Sequence, residues 1–218
     1  MAATRVPQIY VLAGVNGAGK SSIGGATIRE AGAEYFNPDE AAKVLLKANP
    51  GLTQSVANGI AWQIGKQLLE RATRERLDFA FETTLGASTM TELLMGAAAE
   101  GFAIHVWYAG LASAELHIAR VRARVKAGGH DIPETDIRRR FRHSRLNLIR
   151  LLPHLASLRV FDNSVEADPN VGKTPVLRLV LHLERGIVQN AKDLGTTPEW
   201  AKPIIAAAIN LETAVGRV

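Results

Sequence analysis

Residues 14–21, Gly-Val-Asn-Gly-Ala-Gly-Lys-Ser, constrain this chain more than any other stretch. They match the spacing G-x-x-x-x-G-K-[ST] in full. They follow Gln8 to Ala13, a short apolar, β-branched run that reads as a buried parallel strand. The glycines permit backbone angles that other residues resist, so successive N–H groups can turn inward around an anion. Lys20 adds positive charge at the outer phosphates, and the Ser21 hydroxyl can ligate magnesium. A helix over 21–31 would direct its positive end at the same place. Strand, loop and helix in that order are the context this motif requires. Nucleotide contacts are therefore expected from Gly14, Asn16, Gly17, Ala18, Gly19, Lys20, Ser21 and Ser22.

The rest of the chain alternates strands with helices. Strands are expected at 34–36, 78–81, 102–108 and 157–161, and helices from Asn37-Pro38 and over 53–76, 88–100, 113–126, 133–151 and 198–210. In 53–76 the helical period is read from Val56, Ile60, Ile64 and Leu68. Residues 176–183 alternate apolar and polar and read as an edge strand or hairpin partner, after a loop with Pro169, Gly172 and Pro175. The pattern predicts an α/β three-layer sandwich with a mostly parallel five-stranded sheet. A helical lid is expected over about 113–151 and a C-terminal strand and helix extension over about 165–218. A length of 218 residues, 47% hydrophobic and 22% charged, suits one domain over 1–218 with a soluble profile. No cysteine is present, which excludes disulfides and thiolate metal sites. There is no apolar run of about 18 residues and no signal-peptide core near Met1 to Pro7, so a cytoplasmic location without membrane contact is expected.

In such sheets ligands bind beyond the carboxyl ends of the strands. Asp39 stands two residues after Asn37, at the end of the second strand. A carboxylate opposite a γ-phosphate can accept a hydroxyl proton and aim the oxygen, while an acid in a first helical turn is also favoured by the helix dipole. Glu82, Thr83 and Thr84 end the strand Asp78 to Phe81 and suit substrate hydroxyls or the hydration shell of magnesium. Asn163 follows the fifth strand, where a nucleotide base would lie or an ordinary turn would form.

The net charge is +5, and its placement matters more than its size. Nine arginines and Lys126 between 120 and 150 face only Asp131, Glu134 and Asp136, so that stretch carries +7 and the remainder −2. The excess suits an anionic ligand, whether a triphosphate or a nucleic acid, or else a solvated helix face. Phe141 is the sole aromatic in the stretch, which argues against stacked single strands. Arg120 and Arg124 share a helix face by their i, i+4 spacing, and with Arg138 they are the candidates for a guanidinium fork on the transferring phosphoryl group. His130 lies in the turn between the two arginine clusters. No LSGGQ-like string occurs, and Asn190-Ala191-Lys192-Asp193 has the wrong order for a guanine-reading N-K-x-D, so the chain looks most like a small kinase.

Taken together, GVNGAGKSS at 14–22, FNPDE at 36–40, FETTLG at 81–86 and RVRARVKAGGHDIPE at 120–134, with RRRF and NL behind it, resemble the zeta-toxin family of P-loop kinases. The likeness spans roughly residues 8 to 165, and the last three strings in that order carry most of its specificity. It also resembles a shorter, GGHDIP-bearing branch of predicted ATPases. The resemblance implies transfer from ATP, with Mg²⁺, to a sugar hydroxyl of UDP-N-acetylglucosamine. It implies Asp39 as the base, with Glu82, Thr83 and Thr84 touching substrate. Two arginines clamp the phosphates in the family: the first maps to Arg120 or Arg124, and His130 stands where the second would be, with Arg138 able to take its place. The family also implies a small helical antitoxin as partner. The alternatives are a P-loop kinase of a nucleoside, another sugar or a metabolite, and a nucleic-acid-associated ATPase using the basic segment.

Overall fold

A computed structural model describes residues 5–20, 34–165, 177–191 and 195–216. Its strands are β1 (Gln8–Ala13), β2 (Glu34–Phe36), β3 (Phe79–Thr83), β4 (Ala103–Gly110), β5 (Ser157–Asp162), β6 (Arg178–Glu184) and β7 (Ile187–Ala191). Its helices are α1 (Pro38–Ala48), α2 (Gln54–Glu75), α3 (Ser88–Ala99), α4 (Ala114–Lys126), α5 (Glu134–Leu151) and α6 (Lys202–Val215). The expected helix over 21–31 and the loop with Pro169, Gly172 and Pro175 lie outside the described residues. None of the described helices is long and apolar enough to cross a membrane.

One sheet holds seven strands in the order β2-β3-β1-β4-β5-β6-β7. The first five pair in parallel, as expected for an α/β sandwich. The sheet then runs on by two antiparallel strands rather than stopping at five. β6 is the hairpin partner read from its alternation. β7 carries no such pattern, because most of its residues are exposed. The two strands are joined at Arg185-Gly186, both in the left-handed region (φ 47° and 79°), the geometry of a tight two-residue hairpin turn. Arg-Gly is a weaker turn signal than Asn-Gly, so the hairpin does not announce itself in the sequence.

The main core lies on the sheet face formed by Ile9, Val11, Phe79, Phe81, Ile104, Val106, Leu158 and Val160, all buried against α3, α5 and α6. Alternate residues on parallel strands share a face, which is why these positions recur every second residue. α6 starts at Lys202 and runs to Val215, later at both ends than the predicted 198–210, with Pro203 in its first turn.

The period of α2 is helical as expected, but its phase is turned by one residue. Ala57, Ala61, Gly65, Leu69 and Ala72 are buried, whereas Val56 and Ile60 are 49% and 38% exposed. Small residues win the buried face because α1 and the Phe36 ring approach closely. A Cβ on Gly65 would stand 2.7 Å from Phe36 Cε1, inside the packing limit.

The C-terminal segment is locked onto the carboxyl end of the sheet. The six-membered ring of the Trp200 indole packs onto Gly110, where no side chain fits, and its Nε1–H donates to Asp162 Oδ1 at 3.1 Å. Asp162, 5% exposed, also accepts from Arg178 Nη2 at 3.3 Å and from the Ser164 hydroxyl. A buried carboxylate held by several donors has its hydrogen-bonding capacity met inside the protein and anchors the segments that supply them.

Candidate active site

The loop after β1 turns tightly because Gly14, Gly17 and Gly19 adopt φ of 139°, 81° and 82°. Its underside is held by three neighbouring elements. From α4, His117 Nδ1–H donates to the Asn16 carbonyl at 2.8 Å; from the end of β5, Asn163 Nδ2 donates to the Ala18 carbonyl at 2.9 Å. From α5, Arg140 Nη1 donates to Asn16 Oδ1 at 2.8 Å. Lys20 Nζ reaches the Gly14 carbonyl at 3.1 Å. Burial lowers the pKa of Lys20 below its ordinary value, and Arg124 and Arg140 lower it further, while Glu82 and Asp39 raise it. A buried ammonium with two nearby guanidiniums is stabilised by an anion, so the donors, the backbone angles and the charge all fit a polyphosphate. Ser21 and Ser22 lie outside the described residues.

His117 is 1% exposed, and its pKa is lowered to about 4, chiefly by burial and then by Lys20, Arg120 and Arg145, against the Asn16 bond that raises it. In the unfolded chain the ring titrates near its ordinary value, so between about 6.5 and 4 the unfolded state takes up a proton that the folded state refuses. Stability present above pH 6.5 is therefore lost as pH falls toward 4, by roughly 3 kcal/mol from this group. Urea unfolding at pH 7 and pH 4.5 will show that loss, and His117→Asn, which keeps a donor for Asn16 but does not titrate, will flatten it.

Across from the loop, Asn37 caps α1. Its Oδ1 accepts from the N–H groups of Asp39 and Glu40 at 2.9 and 3.2 Å, which fixes Asp39 in the first turn. Asn37 Nδ2 donates to Glu82 Oε1 at 3.0 Å, and the Tyr35 hydroxyl donates to the same oxygen, leaving Oε2 outside both contacts. Beyond Glu82 the chain makes a strained turn. Thr83 Oγ1 accepts from Leu85 N–H and Thr84 Oγ1 from Gly86 N–H. Leu85 sits at φ 50°, held by a 2.8 Å bond from Asn147 Nδ2 to its carbonyl.

Asp39 is 43% exposed on its side chain and faces the α4–α5 turn, with Arg124 Nη1 4.0 Å and His130 Nε2 3.9 Å from its two oxygens. The Gly128-Gly129 turn makes this approach feasible. Gly128 is at φ 86°, and a Cβ on Gly129 would press on Arg124 Cγ at 2.7 Å. Arg124 Nη2 donates to the His130 carbonyl at 3.2 Å, while Arg124 Nε and His130 Nε2 are buried without a hydrogen bond among the described residues. Burial lowers the His130 pKa, opposed by Asp39 and reinforced by Arg124 and Lys43. Arg124 and His130 thus flank Asp39 from behind the cleft lining, to which Asp39 itself belongs.

Arg120 is close to the loop but commits Nη2 to the Asn163 carbonyl at 2.7 Å. Asn163 Oδ1 is buried with no hydrogen-bond partner among the described residues. Arg138 stands apart from these residues. It is half-exposed, pairs with Glu115 at 2.6 Å and does not line the cleft, because it points off the outer side of α5. Arg140, not read from the sequence, takes the inner position. It touches Asn16, it lines the cleft, and its stem packs where a Cβ on Gly86 would lie, 2.6 Å from Arg140 Cγ. Much of the basic stretch thus has partners within the chain: Arg122 pairs with Glu134 and Arg139 with Asp136 at the surface, and Arg145 lies over Phe141 and reaches the Trp200 carbonyl.

A cleft of about 640 Å³ opens between these parts, lined by Asn16, Asp39, Glu82, Thr83, Thr84 and Arg140 together with one face of α2. It can hold an acceptor beside a bound nucleotide.

A family profile described as Zeta toxin matches residues 1–168. An uncharacterized protein of Haemophilus influenzae is 32% identical over 128 residues, 59% of this chain and 88% of that one. Among solved structures, the AvrRxo1-ORF1:-ORF2 complex superposes with a TM-score of 0.62 at 18% identity, over 94% of this chain and 71% of that one. A structure from the PezAT chromosomal toxin–antitoxin system of Streptococcus pneumoniae gives 0.57 at 14% identity, over 96% and 86%. At these identities the structural matches speak for the fold.

Proposed function

The chain belongs to the zeta-toxin family and is a P-loop phosphotransferase, and from that premise we propose that it moves the γ-phosphoryl group of ATP onto a sugar hydroxyl of UDP-N-acetylglucosamine. The observation that carries this reading is the position of Asp39, in the cleft, within the field felt by Lys20 and flanked by Arg124 and His130.

In the proposed reaction Asp39 accepts the proton of the acceptor hydroxyl as its oxygen bonds to the γ-phosphorus. The bond from that phosphorus to the β,γ-bridging oxygen breaks, and ADP leaves. Lys20, Arg124 and Arg140 stabilise the charge that spreads over the equatorial oxygens. Thr83 and Thr84 are proposed as acceptor contacts and Asn163 as a nucleotide contact. Ser21 and Glu82 would hold magnesium, which prefers hydroxyl and carboxylate oxygens, and the ion would supply charge neutralisation at the phosphates. A cytoplasmic enzyme restrained by a small helical antitoxin would fit the family.

ADP release is to be measured from ATP and magnesium with and without UDP-N-acetylglucosamine, followed by mass analysis of the sugar nucleotide. The expected product is heavier by one phosphoryl group. ATP turnover with an unchanged sugar nucleotide would overturn this acceptor and favour another small hydroxyl compound.

A further inference from the structure

Asp39 has the cleft in front of it and two side chains behind it, and those two are chemically unlike. Arg124 Nη1 stands 4.0 Å from Oδ2, and His130 Nε2 stands 3.9 Å from Oδ1. A guanidinium stays protonated and can only donate, whereas a neutral imidazole can take a proton through one nitrogen. Of the pair, His130 is therefore the one able to receive a proton from Asp39. Its side chain is 11% exposed, and its buried Nε2 has no hydrogen bond among the described residues.

The turn that carries the ring is anchored on both sides. Arg124 Nη2 holds the His130 carbonyl from α4. Toward α5, Asp131 Oδ1 accepts from the Ile132 N–H at 2.8 Å, and Ile132 is buried with Val15, Ile118, Val121 and Ile137. Val15 belongs to the phosphate loop, so that loop and the His130 turn share one small core. A closure of about 1 Å would bring Nε2 and Oδ1 to hydrogen-bond length, and such contacts are often long before substrates bind.

The charged groups facing the ring oppose one another: Asp39 and Lys43 from α1, Arg124 from α4, and Asp131 from the turn itself. Burial, Arg124 and Lys43 favour the neutral ring, and the two carboxylates favour its protonation. In their ordinary forms an imidazole binds a proton about 2.6 pKa units more tightly than an aspartate. A proton that reaches a carboxylate is thus drawn onward to an imidazole beside it.

We propose that His130 is the second base of the site: the proton that Asp39 takes from the acceptor hydroxyl passes from Oδ1 to His130 Nε2. That step restores the carboxylate, and the imidazolium then releases its proton to water. No other bond changes in it. The proposal rests on the phosphotransferase reading above and names the group that completes its proton transfer.

The test is ADP release at saturating ATP, magnesium and acceptor, from about pH 5 to 9, for the wild type, His130→Gln and His130→Ala. A protonated ring cannot accept, so wild-type kcat should fall as pH drops through the imidazole range. His130→Gln should lose about tenfold or more at pH 8 and should also lose that limb. Added imidazole should restore His130→Ala by about fivefold or more. A loss equal at every pH, with no rescue, is the mark of a structural histidine and overturns the proposal. ADP counts transfer to any hydroxyl, water included. An unmodified UDP-N-acetylglucosamine therefore removes that acceptor while the pH limb is still read. A second readout needs no turnover. The His130 Cε1–H resonance, assigned by its absence in His130→Gln, is titrated by NMR in the wild type and in Asp39→Asn. Loss of the carboxylate should lower its midpoint by about 0.5 pH unit or more. An unchanged midpoint means that the two groups are not coupled and overturns the proposal by itself.

Discussion

Exchanging Asp39 for asparagine is expected to lower kcat by about 10²–10⁴-fold, the range for loss of a positioned general base. The change is nearly isosteric, and the Asn37 cap that fixes the backbone of residue 39 is untouched. What disappears is the capacity to take a proton and the negative charge between Arg124 and His130. ATP affinity, read by titration with a non-hydrolysable analogue, should hold or improve slightly, because Asp39 places negative charge near Lys20. Wild-type turnover in Asp39→Asn would remove this carboxylate from the mechanism.

The second large effect is expected at Arg140. Arg140→Met should cost about 10²–10³-fold in kcat, the size seen when one preorganised donor to a developing oxyanion is lost. Arg138→Met should leave kcat at its wild-type value, since that side chain is spent on an exposed pair with Glu115. Arg140→Lys should recover little, because a lysine cannot reproduce a planar fork held against Asn16. Single-turnover measurements at saturating ATP, with thermal unfolding as a check on the fold, compare the three. Equal losses at 138 and 140 would mean that the stretch acts through bulk charge alone.

This contrast marks what the sequence holds openly and what it holds only in combination. The phosphate loop is legible because its geometry is local: glycine spacing and a preceding apolar strand suffice. Asp39 and Glu82 are legible because strand ends in a parallel sheet converge. Three consecutive arginines at 138–140 are not, since each is turned about 100° from the last around the helix. The phase was nevertheless present in the burial of Ile137, Ser144, Leu148 and Leu151, which puts Arg140 on the inner side. In α2 the large apolar residues misled, because close helix approach selects alanine and glycine over valine and isoleucine. The β6–β7 hairpin was half visible, since only β6 alternates.

The family match ends at residue 168, yet Trp200 and Arg178 from beyond it hold Asp162, and Asp162 is the neighbour of the residue that supports Ala18. The phosphate-binding loop is therefore tied, through Asn163 and Asp162, to a segment beyond the family match. A ribosome that has released only the matched part has not yet delivered the donors for that buried carboxylate. Catalytic competence should thus arrive only after Trp200 has been made and its indole has covered Gly110.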